Sequence, residues 1–74
     1  MDISIPNNQI LKDILTGKKV ISFEFLAIQI FVTREKRRLE ESPSSLDASV
    51  KAFSELLLKY KSSDSVVRDI GKML

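Results

Sequence analysis

The sequence predicts an all-α fold, a small bundle of three or four short helices built on an antiparallel helical hairpin turning at Pro43. Three observations carry that expectation. Leu46, Val50, Phe53, Leu57 and Tyr60 step by 4, 3, 4 and 3 residues, the spacing of one helical face. Ser42-Pro43-Ser44-Ser45 breaks the chain between two helix-forming stretches, and so short a connection favours antiparallel neighbours. No glycine or proline interrupts the chain from Lys18 to Ser42.

Taken in order, the elements begin with an extended arm over 1–7, where Pro6 biases Ile5 away from helix. Asn7 or Asn8 is a good N-cap for a short helix from about 8 to 16 with Ile10, Leu11, Ile14 and Leu15 on one face. Gly17 stands where a C-terminal cap glycine belongs. Lys18-Lys19 mark a polar turn. Val20 to Val32 is rich in β-branched and aromatic residues, and Ile21, Phe23 and Phe25 alternate with Ser22 and Glu24, as in a strand. The same segment carries a helical stripe of Phe23, Leu26, Ala27, Ile30 and Phe31, and runs unbroken into the strong helix former Arg34 to Glu41. One long helix from about 22 to 41 is favoured over a strand followed by a helix. Such a helix is apolar nearly all round in its first half and needs cover from a larger core or an oligomer.

After Pro43, Ser44 followed by Asp47 fits a capping box for the next helix. Ser62-Ser63-Asp64-Ser65 then allows either a bend into a fourth helix or a straight continuation, with Val66, Val67, Ile70, Met73 and Leu74 extending an apolar face.

Seventy-four residues form a single domain at most, and a chain this short buries only about 60% of its unfolded surface. The usual staples of small domains are disulfides, metals and partners. With no cysteine and no histidine, disulfides, thiolate sites and the commonest metal ligand and general base are excluded. Asp13, Glu24, Asp47, Glu55, Asp64 and Asp69 are scattered, and no calcium-loop, nucleophile-elbow or phosphate-loop pattern occurs. The expectation is therefore a non-enzyme without a cofactor or metal, stapled by a partner, either another copy of the chain or a different protein. No signal peptide is expected, since Met1-Asp2 opens with an acid and no apolar core follows it closely, and no transmembrane helix, because Phe25 to Thr33 is the longest uncharged, mainly apolar stretch. A cytoplasmic location is the expectation, with non-classical export as the alternative.

The residues expected to bury against a partner or within an oligomer are Phe23, Leu26, Ile30, Phe31, Phe53, Leu57 and Tyr60, with Val50 beside them. The cluster Arg34, Lys36, Arg37 and Arg38 offers a possible contact with phosphates, which makes a nucleic-acid-binding regulator the alternative function. Lys36 and Arg37 precede Glu40 and Glu41 by four residues, however, so the cluster carries candidate ion pairs of its own. The net charge of +2, from twelve bases and ten acids, does not describe a strongly basic surface. A membrane-surface peptide ranks lowest, since the bases follow the apolar segment rather than facing away from it.

Pro43 and Leu46 after the turn, Phe53-Ser54-Glu55, Tyr60, the polar break near Ser63, and Val67-Arg68 with Ile70 give residues 43–74 a resemblance to type III secretion needle subunits. Those are small, cysteine-free helical hairpins that are exported and polymerise into a hollow tube. The first half departs from that family, being more apolar, and the second proline of the usual turn is missing. The resemblance implies self-association in a bacterial secretion system; a small bacterial regulator is the other expectation.

Overall fold

Leu11 lies on the first helix, Ile28 on the second, Phe53 on the third and Ile70 on the fourth, and all four are essentially inaccessible to solvent. They belong to one continuous apolar cluster. The computed structural model describes residues 5–74 and contains α1 (Asn8–Leu15), α2 (Leu26–Glu41), a 3-10 turn (Pro43–Ser45), α3 (Leu46–Lys59) and α4 (Asp64–Met73). There is no strand among the described residues. None of these helices is long and apolar enough to cross a membrane.

α1 starts and stops as its sequence dictates. The Asn7 side chain accepts a hydrogen bond from the backbone N–H of Ile10 at 3.0 Å, and Gly17 takes a φ of +85°, which side chains with a Cβ rarely adopt. Of the expected arm 1–7, residues 1–4 lie outside the described residues, and Pro6 is buried. The hairpin turns at Pro43 as expected. Ser44, however, is not the cap of the following helix. The proline opens a 3-10 turn that pushes the start of α3 to Leu46, and neither Ser44 nor Ser45 caps it through a side chain. Asp47 instead faces Lys12 of α1 at 3.9 Å. α1 packs against both arms of the hairpin.

α3 buries the seam its periodicity predicts. Val50, Phe53 and Leu57 are inside, with Leu46 and Tyr60 packed half-buried at its ends. The serine-rich break resolves into a bend, so α4 is a separate helix that buries Val66, Ile70 and Met73. Each of these side chains removes roughly 1.5–3 kcal/mol worth of apolar surface from water.

The principal departure from the sequence reading lies at residues 20–25. These residues are neither the first turn of a long helix nor a strand, and α2 begins only at Leu26. The cause is tertiary. Asp69 of α4 is fully buried, and its carboxylate accepts hydrogen bonds from the backbone N–H of Glu24 at 2.7 Å and of Phe25 at 3.0 Å. The Gln29 side chain accepts from the Phe23 N–H at 3.1 Å. Each buried backbone donor must find an acceptor, and here side chains supply three of them outside any helix. Lys19 donates to the Met73 carbonyl at 2.6 Å and Lys72 to the Ser22 carbonyl at 3.3 Å. These contacts lay the linker antiparallel along α4.

Candidate functional site

α2 offers the surface that most needs an explanation. On a helix, residues three and four apart share a face. Ile28, Val32, Glu35 and Leu39 follow that rule and form its buried face. The expected stripe of Phe23, Leu26, Ala27, Ile30 and Phe31 is therefore not the buried face. Leu26 is 72% exposed and Ile30 54% exposed. They lead by further steps of three and four into Thr33, Arg34, Arg37 and Glu41, all exposed. The outward side of α2 is thus apolar at its N-terminal end and basic beyond it.

The remaining expected interface residues serve the inside of this chain. Phe23 is buried on the linker with its ring edge-on to Phe53, centroids 6.3 Å apart. Phe53 and Leu57 are fully buried and leave no surface for a partner. Phe31 is half-buried against the Phe53 ring at 5.6 Å. Tyr60 is half-buried against Phe25 at 4.9 Å, with the Lys59 ammonium 5.2 Å from its ring centre. Leu26 and Ile30 alone keep a large exposed apolar surface among the seven.

The basic cluster divides. Arg34, Arg37 and Arg38 border a shallow open groove of about 400 Å³ with Thr33, Glu35 and Glu41. Lys36 points elsewhere and borders a second groove with Leu15, Leu39, Glu40 and Pro43. The anticipated pairs Lys36–Glu40 and Arg37–Glu41 do not close among the described residues; Arg38 pairs with Glu35 instead, at 3.0 Å. Ser49 of α3 joins them. Its hydroxyl donates to Glu35 Oε1 at 2.9 Å and accepts from Arg38 Nη2 at 3.0 Å. Ser49 is fully buried and Glu35 nearly so, which makes this triad a polar lock between α2 and α3. It favours the observed face of α2 turning inward, because rotating α2 carries Glu35 and Arg38 away and leaves the buried Ser49 hydroxyl without these partners. Arg38 is thereby committed, and Arg34 and Arg37 remain as the cations without an ion-pair partner on this face among the described residues.

The sequence reading missed Glu35, Ser49 and Asp69, and a signal for each was present. Asp69 sits between Val66, Ile70 and Met73, Glu35 between Val32 and Leu39, and Ser49 beside Val50 and Phe53. Each is a polar residue in an apolar slot of a helical stripe. Among the described residues no group of carboxylates converges in a way that would hold a metal ion. No protein-family model matches the chain, and no curated protein or solved structure matches it either.

Proposed function

We propose that the protein acts by binding rather than by chemistry, associating through the outward face of α2 with a second copy of its own chain. One observation carries this reading. The core is already closed by the opposite face of α2, yet Leu26 and Ile30 stand side by side in water at 72% and 54% exposure. Pairing two such faces removes four aliphatic side chains from water, at roughly 25 cal/mol for each Å² covered. The resemblance of residues 43–74 to needle subunits, which polymerise, supports the same occupant and a role in a bacterial secretion system. A small cytoplasmic regulator that dimerises is the other setting in which the face serves.

Molar mass by light scattering across a concentration series tests it. A mass that rises toward the dimer and returns to the monomer value in Ile30→Asp supports the reading. A monomer at every concentration, still cooperatively folded, overturns self-association and moves the face to a foreign protein.

The groove bordered by Arg34, Arg37 and Arg38 favours one second reading, a nucleic-acid-binding regulator. Binding that weakens steeply with salt supports it. With Arg38 tied to Glu35 and Ser49, and Lys36 on another side, the two cations left without an ion pair among the described residues are a small footprint for phosphates.

A further inference from the structure

The segment that the sequence reads as helix lies outside any helix in the structure, and its residue spacing also fits a backward extension of α2. Carried back from Leu26 as helix, Ile21 and Phe25 fall in line with Ile28 and Val32, by steps of 4, 3 and 4, on the inward face. Phe23 then falls in line with Leu26 and Ile30, by steps of 3 and 4, on the outward face. Glu24 comes to lie near the new N-terminus, where a carboxylate is favoured. Nothing in the local sequence prevents this extension, since the segment contains no glycine or proline. What prevents it is α4. The two Asp69 hydrogen bonds hold the N–H groups of Glu24 and Phe25. Lys72 grips the Ser22 carbonyl, and the Glu24 side chain is flanked by Arg68 at 3.6 Å and Lys72 at 3.7 Å.

We infer that α4 is a latch on the start of α2: docked, it holds residues 22–25 out of the helix with Phe23 inside, and released, it lets α2 grow by about one turn and brings Phe23 out beside Leu26 and Ile30. The device controls how much apolar surface the outward face presents. The latch stands on the Asp69 geometry; its effect on association rests on the docking reading above. The released state exposes Phe23 and gives up the bonds of a buried carboxylate, so it is the minor species, and whatever binds the longer stripe draws the population toward it.

Amide hydrogen exchange and Cα chemical shifts by NMR test the latch. In the unaltered protein the Glu24 and Phe25 amides exchange together with those of α4, as one opening unit, ahead of the centre of α3. Asp69→Asn removes the charge at nearly constant shape and replaces one acceptor by a donor facing an N–H. Exchange at Glu24 and Phe25 then quickens by about tenfold or more, and the Cα shifts of residues 22–25 move toward helix. Opening of these amides only with global unfolding overturns the proposal. So does an Asp69→Asn protein in which the shifts of 22–25 stay as in the parent or become random coil. Should Asp69→Asn fail to fold, the exchange pattern of the unaltered protein decides. Adding Ile30→Asp to Asp69→Asn separates the two readings. Helical shifts at 22–25 with no association in either protein sustain the latch and remove the docking face.

Discussion

α2 and α3 are the two arms of one hairpin, 16 and 14 residues long, and both are amphipathic, yet they are specified in different ways. α3 has one apolar stripe and one orientation that buries it. α2, read together with the segment that precedes it, has two candidate stripes, Phe23-Leu26-Ile30 and Ile21-Phe25-Ile28-Val32. Local hydrophobicity does not choose between them. Two buried polar residues from other helices make the choice: Ser49 sets the rotation of α2 through Glu35, and Asp69 sets its first residue. An apolar stripe suffices to orient a helix only when it is the sole stripe; otherwise the orientation falls to groups for which the wrong answer is expensive.

This comparison breaks most visibly in the α3 core. Phe53 is fully buried against the rings of Phe23 and Phe31, and Phe53→Ala is expected to cost about 3–5 kcal/mol, read as a lower urea midpoint. A domain of this size holds roughly 4–11 kcal/mol in all, so the variant stands near the edge of folding. Asp69→Ala comes next, at about 3 kcal/mol, because it leaves the Glu24 and Phe25 N–H groups without their acceptor. A loss below about 1 kcal/mol in urea unfolding would show that the start of α2 does not depend on α4. Ser49→Ala is expected to cost about 1–2 kcal/mol in the same assay, since it removes the hydroxyl that joins Glu35 to Arg38. Gly17→Ala strains a φ of +85° with open space around it, and about 1 kcal/mol is expected. Smallest of all is Leu26→Ser, within about 0.5 kcal/mol of the parent in monomer stability, because the side chain is largely in water. A clearly larger loss, measured where the protein is monomeric, would place Leu26 inside the fold and undo the contrast between the faces of α2.

Local physics written in the sequence determined a good deal. The turn at Pro43, the Asn7 cap and the Gly17 stop rest on contacts between residues close in the chain, and the helical class and the buried face of α3 on the spacing of nearby residues. The boundary at residues 20–25 and the inward face of α2 did not yield to the same reasoning. They depend on Asp69, 44 and 45 residues away from its two donors, and on Ser49, 14 residues from Glu35. The candidate site shared that fate. Phe23, Phe53 and Leu57 read as interface because apolar spacing marks what is buried without saying whether by the same chain or another. Only the tertiary structure, by filling the core with them and leaving Leu26 and Ile30 outside, decided which of the expected interface residues still lack cover. Periodicity records that a side chain must leave water; where it goes is a property of the assembled fold, since it is set by which buried polar groups find partners at a distance.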